Sequence, residues 1–341
     1  MWRAVVAEGV PASREYIVRL LRQDPDLEVV AAVGDGLEAV KQVQRLKPQV
    51  ILMDIDLPRL DGIAATREIM RTAPAPIVMM SASETGDDAK RAFAATQAGA
   101  LTFVVKPAGG AGEQERKLLE MVKAMAEVKV VRRWGRPEEP PRLAAPLARI
   151  ARDVRVIAIG ASTGGPHALM EVLQQLPADL GIPLLVVQHI TPGFARGLAE
   201  WLDDATPFVV KLAEDGERIV SGTVYLAPDG VQMVVAAGNR IGLVPPYADQ
   251  PFCPSVDRLF DSVAAAYGPA AVGVILTGMG RDGAQGLKRL REAGGVTIAQ
   301  DEATSAVFGM PKEAIRLNAA RYVLPIEHIG AAIRRNVLPQ Y

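Results

Sequence analysis

Three apolar runs in the second half of this chain end in residues that can do chemistry together. Val156 to Leu169 reads VIAIGASTGGPHAL and delivers Ser162 into a glycine-rich turn; IPLLVVQ ends at His189; AVGVILTG leads through MGRDG to Asp282. A serine hydroxyl is a weak nucleophile until an imidazole takes its proton, and the imidazole needs a carboxylate to fix its tautomer. Each run reads as a strand followed by a helix. If the three lie in one parallel sheet, Ser162, His189 and Asp282 emerge together at its carboxyl edge, where α/β active sites form.

Other readings of the glycine turn remain open. GASTGG could cradle a phosphate, but it lacks the G-x-G-x-x-G spacing, and no strand-end acid follows about 20 residues later. GASTG also fits the G-x-S-x-G elbow of the α/β-hydrolases, whose order of serine, acid and histidine would recruit His328. Only His167, His189 and His328 are available as bases. His167 falls in the first turn of the helix after Ser162 and reads as a surface residue. His328, in LPIEHIGAAI, reads as part of a solvent-facing terminal helix.

The first half alternates five short apolar runs with amphipathic stretches, the pattern of a parallel sheet covered on both faces. The expected strand ends carry Glu8, Asp54, Ser81 and Lys106. A carboxylate, a hydroxyl and a lysine meeting there would suit a phosphorylated aspartate. Between the halves, residues 129–152 are rich in proline and arginine and read as a semi-rigid tether. At 341 residues the chain suggests two domains.

Composition bounds the partners. The net charge of -1 offers no polybasic surface for nucleic acid or anionic lipid. One cysteine, Cys253, rules out an internal disulfide and fits a reducing compartment. There is no signal-peptide pattern and no run near the roughly 20 apolar residues of a membrane span. The expectation is a cytoplasmic protein without membrane insertion or nucleic-acid binding.

Residues 1–128 resemble a response-regulator receiver domain, carried by Asp54, Leu57-Pro58 and Asp61-Gly62 in MDIDLPRLDG, with Ser81-Ala82 and Lys106-Pro107. The resemblance implies a flavodoxin-like (βα)5 fold in which Asp54 accepts a phosphoryl group from a histidine kinase, supported by Ser81 and Lys106. It also implies magnesium held by Glu8, Asp54 and Asp56. Gly9 stands where the family usually has a second acid, which should weaken that site.

Residues 153–341 resemble the catalytic domain of chemotaxis protein-glutamate methylesterases, a doubly wound, mainly parallel α/β fold. The matching stretches are GASTGGP, VVQHITPGF, VYLAP, PSVDRLF, VILTGMGRDGAQG and TIAQDEATSAVFGMPKEAI. The resemblance implies Ser162, His189 and Asp282 as nucleophile, base and orienting acid, with backbone oxyanion donors at Thr163 and Met279. It implies hydrolysis of glutamate γ-methyl esters, and deamidation of glutamine, on chemoreceptor helices through an acyl-enzyme, with no cofactor for hydrolysis. Ser255 and Asp257 in PSVD could shape the pocket or cap a helix. Gln232 and Phe252-Cys253 depart from the basic or histidine residues common in the family.

A receiver on a proline-rich tether can inhibit by covering the esterase site until Asp54 is phosphorylated. On that reading a chain beginning near Asp153 releases methanol from methylated receptor faster than the full chain does. Equal rates for the two would eliminate the covering mechanism.

Overall fold

The computed structural model describes residues 1–83, 87–107, 112–128, 154–246 and 252–337, so the expected tether lies outside the described residues. The chain divides into two compact units, 1–136 and 137–341.

The first unit runs β1 (Trp2–Ala7), α1 (Pro11–Leu21), β2 (Leu27–Val33), α2 (Gly36–Leu46), β3 (Val50–Asp54), α3 (Gly62–Thr72), β4 (Ile77–Ser81), α4 (Asp87–Gln97), β5 (Thr102–Val105) and α5 (Gly112–Ala126). Its sheet is parallel, in the order β2-β1-β3-β4-β5. Every residue of β3 and β4 is buried, as helices on both faces require. Asp35 and Asp61 start α2 and α3 by accepting the backbone N–H groups of Glu38 and Ala64.

The second unit opens with β6 (Val156–Ala161), α6 (Gly165–Gln174), β7 (Leu184–Gln188), α7 (Ala195–Ala205), β8 (Val209–Leu212) and β9 (Thr223–Leu226). A hairpin of β10 (Gln232–Ala236) and β11 (Arg240–Val244) follows, then α8 (Val256–Tyr267) and β12 (Ala271–Ile275). The chain continues through α9 (Ala284–Glu292), β13 (Val296–Gln300), α10 (Met310–Arg316), β14 (Tyr322–Leu324) and α11 (Ile326–Val337). The seven-stranded parallel sheet has the order β14-β13-β12-β6-β7-β9-β8.

Both sheets place chemistry at a reversal of strand order, where loops diverge and leave a crevice. In the first sheet the reversal falls between β1 and β3, which end beside Glu8 and at Asp54. In the second it falls between β6 and β12, beside Ser162.

The core under the second crevice includes Val156, Leu185, Val187, Val256, Phe260, Ile275 and Leu287, all fully buried. Helix α8 packs so closely on β6 that a Cβ at Gly160 would lie 2.1 Å from Val256 Cγ1. Gly160→Ala should therefore lift the start of α8 and destabilise the unit by about 1–3 kcal/mol, the usual cost of overpacking. Thermal unfolding of the full chain checks this, and an unchanged transition would show that α8 has slack.

Candidate functional site

Ser162 and His189 leave neighbouring strands side by side. The last pair of the β6–β7 ladder is Ala161 with Gln188. The ladder extends one step further, because His189 N–H donates to the Ala161 carbonyl at 2.9 Å. On the other flank, Ser162 N–H donates to the Thr277 carbonyl at 3.0 Å, tying the turn to the end of β12.

The turn from Ser162 to Gly165 closes with Gly165 N–H on the Ser162 carbonyl at 2.7 Å. Gly164, at φ 76° and ψ -2°, holds the left-handed position of a type II turn, which explains a glycine there. The amides of Ser162 and Gly165 are thus committed within the protein, which argues against an anion cradle at this turn.

Asp282 stands at the amino end of α8 although it is reached from β12. Its Oδ2 lies 2.8 Å from His189 Nε2 and accepts Val256 N–H at 2.7 Å. Its Oδ1 accepts the Ser255 hydroxyl at 2.9 Å and Asp257 N–H at 3.1 Å. Burial alone would raise this carboxyl, but the histidine and the helix amides hold it below the ordinary range. An ionised carboxylate only accepts, so the neutral imidazole carries its proton on Nε2 and leaves Nδ1 as the basic nitrogen.

The other histidines are elsewhere. His328 lies at the start of α11, which packs against the carboxyl end of α6 through Gln175, the end of that helix remote from Ser162. His167 faces Glu171 one turn along α6, 3.8 Å away.

In the first unit Lys106 Nζ lies 2.9 Å from Glu8 Oε2 and 2.8 Å from Asp54 Oδ1. Both carboxylates are almost fully buried. Burial raises the Asp54 carboxyl; Lys106 opposes and Glu8 reinforces the shift, and the net direction is up. Burial would lower Lys106, but the two carboxylates outweigh it and raise the amine. Ser81 is buried at the end of β4, with its hydroxyl donated to the Ser83 carbonyl at 2.6 Å rather than to Asp54.

Asp56 presents its backbone rather than its carboxylate to this cluster. Its carboxylate turns outward to Arg91, 2.7 Å away, and among the described residues no three His, Cys, Asp or Glu side chains are grouped to hold a metal. Its backbone carbonyl is what faces the crevice: a Cβ at Gly9 would lie 3.2 Å from that oxygen and 4.0 Å from Asp54 Oδ2.

Comparison with known proteins agrees with both halves. A family described as CheB methylesterase matches residues 157–333, and one described as response regulator receiver domain matches residues 4–123. A protein-glutamate methylesterase/protein-glutamine glutaminase of Syntrophus aciditrophicus is 45% identical over 98% of this chain and 97% of its own. One from Nitrosospira multiformis is 44% identical over 98% of this chain and 96% of its own. The crystal structure of the Thermotoga maritima CheB methylesterase catalytic domain superposes with a TM-score of 0.51 at 38% identity, covering 53% of this chain and 98% of that one.

The chain belongs to the CheB methylesterase family. It is a protein-glutamate methylesterase and protein-glutamine glutaminase of the chemotaxis type, with a receiver domain in front. No helix among its described residues is long and apolar enough to cross a membrane.

Several further residues support the methylesterase site. Gln188 donates from Nε2 to the carbonyls of both Ser162 and His189, each at 2.7 Å, and so links the two turns. Thr277 Oγ1 donates to the Thr163 carbonyl at 2.9 Å and accepts Val307 N–H at 2.9 Å. Gln300, at the end of β13, accepts Thr277 N–H at 2.8 Å. Asp229 accepts Gly193 N–H at 2.9 Å and steadies the loop after His189. Ser255 both caps α8 and bonds Asp282, so the two roles open in the sequence coexist.

Asp257 accepts Gly286 N–H at 2.5 Å, capping α9, and burial raises its carboxyl to about 6, with the Asp282 charge adding to the shift. A raised carboxyl contributes stability below its unfolded pKa and loses it as pH rises through the folded value. Asp257→Asn keeps an acceptor for Gly286 and removes that loss. The variant should match the parent near pH 3.8, and the gap should open through pH 6. Above pH 6 it should be more stable by about 1–2 kcal/mol, the shift at 1.36 kcal/mol per unit discounted for solvent screening. Calorimetry of the full chain at pH 4 and pH 7.5 measures the gap, and a difference that is constant with pH would assign it to something other than this ionisation.

Proposed function

We propose that Ser162, His189 and Asp282 form the hydrolytic triad, acting on glutamate γ-methyl esters of chemoreceptor cytoplasmic helices. The observation that carries this reading is the 2.8 Å contact of His189 with a fourfold hydrogen-bonded Asp282, on the strand next to Ser162. Ser162 Oγ attacks the ester carbonyl while His189 Nδ1 takes the hydroxyl proton. The tetrahedral intermediate collapses, the C–O bond to the methoxy group breaks, and the imidazolium returns its proton to departing methanol. Water then attacks the acyl-enzyme, with His189 again as base, and restores the glutamate and Ser162. A glutamine side chain follows the same course with ammonia as the leaving group. Asp282 stays ionised throughout and steadies the imidazolium.

Thr163 and Met279 N–H groups supply the oxyanion hole. In a trans peptide the N–H points opposite the preceding carbonyl. The Ser162 carbonyl is held from behind by Gln188 Nε2 and Gly165 N–H, which turns Thr163 N–H to the other side. The Gly278 carbonyl is held in the same manner by Gly309 and Met310 N–H groups, at 3.0 and 2.9 Å, which turns Met279 N–H away from α10. Gly278 and Ser162 are close enough that a Cβ on the glycine would lie 2.6 Å from Ser162 Cβ. Each such donor is worth roughly 10²–10³ in rate.

Regulation rests on the receiver. Asp54 is the phosphoacceptor, with a histidine kinase as donor. Its buried cluster carries two carboxylates against one lysine, an excess of negative charge that a divalent cation relieves. Glu8, Asp54 and the Asp56 carbonyl would hold magnesium, with Gly9 leaving one more place to water. When bound, the ion neutralises charge on the phosphoryl group in flight. Lys106 gathers the phosphorylated Asp54.

The triad is tested by methanol release from methylated receptor. Ser162→Ala and His189→Ala should each lower turnover by roughly 10⁴–10⁶ with the fold retained, while His328→Ala should leave it unchanged. Loss of activity in His328→Ala with His189→Ala spared would overturn the assignment.

A further inference from the structure

Phe252 lies over the imidazole of His189. The ring centroids are 4.9 Å apart and the planes differ by 6°, an offset parallel stack. The phenyl ring is held from its backbone. The Phe252 carbonyl accepts Gln232 Nε2 at 2.8 Å, and Gln232 Oε1 accepts Ser255 N–H at 2.7 Å. Gln232 is fully buried. Ser255 in turn bonds Asp282, so one chain of contacts runs from Phe252 through Gln232 of β10 and Ser255 to the carboxylate that meets the edge of the imidazole. Phe252 itself is 36% exposed, so it does not fill the core.

We propose that Phe252 is a positioning residue for this methylesterase: its ring blocks rotation of the His189 imidazole about its long axis, keeping Nε2 on Asp282 and Nδ1 toward Ser162. The proposal rests on His189 being the base. A hydrogen bond to Asp282 fixes one point of the ring but leaves it free to swing about that point. A parallel aromatic plane removes that freedom while offering no ring nitrogen or hydroxyl to compete for the proton. The quadrupole of the phenyl face also attracts the imidazolium that forms when Ser162 gives up its proton, so the contact strengthens as the reaction proceeds. Two of the residues at which this chain departs from the common family pattern, Gln232 and Phe252, are therefore one device, the first anchoring the second.

The test compares Phe252→Leu, Phe252→Tyr and Phe252→Trp in the full chain, with methylated receptor and with p-nitrophenyl acetate, an ester too small to need a receptor surface. Phe252→Leu should lower kcat about 3–10-fold on both substrates with KM nearly unchanged, and the two aromatic variants should restore kcat. The His189 Nε2–H proton, read by NMR, should exchange with water several-fold faster in Phe252→Leu than in the parent or Phe252→Tyr. A loss confined to KM with receptor would make Phe252 a substrate-contact residue and overturn the proposal. So would unchanged kcat and proton exchange in Phe252→Leu. If His189→Ala retains activity, the failure belongs to the triad assignment instead, so the two readings fail separately.

Discussion

The charge on Asp282 organises the methylesterase unit. It is only 5% exposed, and an ionised carboxylate taken from water is tolerated only where hydrogen bonds and opposite charge replace the solvent. Here the replacement is the amino end of α8: two free amides of its first turn, the hydroxyl of its capping serine, and the dipole behind them. That requirement dictates geometry well beyond the carboxylate. Helix α8 must start at the carboxyl edge of the sheet, so it crosses β6 closely enough to demand glycine at 160. The loop from β12 must reach over to it, which places Gly278 against Ser162. The imidazole then meets a carboxylate with all its other lone pairs engaged, so a donated proton is the only contact open to it.

The two units bury carboxylates at the same topological place with opposite electrostatic outcomes. Asp54 has a lysine, but it shares that lysine with Glu8 and has no helix amino end to lean on, so burial prevails and its carboxyl is raised. Asp282 has four donors to itself and is lowered. In the proposed triad, an acid that orients a base through every turnover needs a permanent charge. A proposed phosphoacceptor is better left incompletely compensated, so that a cation and a phosphoryl group would still have something to stabilise.

The strands and the meeting of the three residues of the proposed triad were legible because each residue follows an apolar run, and a parallel sheet turns sequence position into spatial position. Ser162, His189, Glu8, Asp54, Ser81 and Lys106 follow from that rule alone. Asp282 needed more, since it lies seven residues past the end of β12 and reaches the site only because of α8. Of the supporting layer only Ser255 was legible in its roles. Gln188 reads as the last polar residue of a strand, and nothing in its neighbourhood says that its amide bridges Ser162 and His189. The stacking of Phe252 on His189 joins residues 63 positions apart through a loop with no periodicity. The carboxylate of Asp56 finds Arg91 on α4, a partner that no local pattern announces, while its backbone carbonyl faces Gly9 and Asp54.

The amino end of α8 also explains why its second acid behaves differently from the first. Asp257 belongs to the first turn of that helix, yet its amide is already spent on Asp282 and its carboxylate faces α9 instead. One helix terminus supplies roughly half a positive charge, enough to favour one neighbouring anion and too little for two in a buried setting. The first is fixed as the permanent partner of His189. The second, close to it and largely removed from water, takes a proton more readily, which is why its carboxyl sits at about 6. With Asp257 partly protonated near that pH, the charge that His189 meets comes chiefly from Asp282. On the proposed mechanism, the imidazolium is therefore held by one well-placed carboxylate, with the second able to ionise or protonate without leaving its place as the cap of α9.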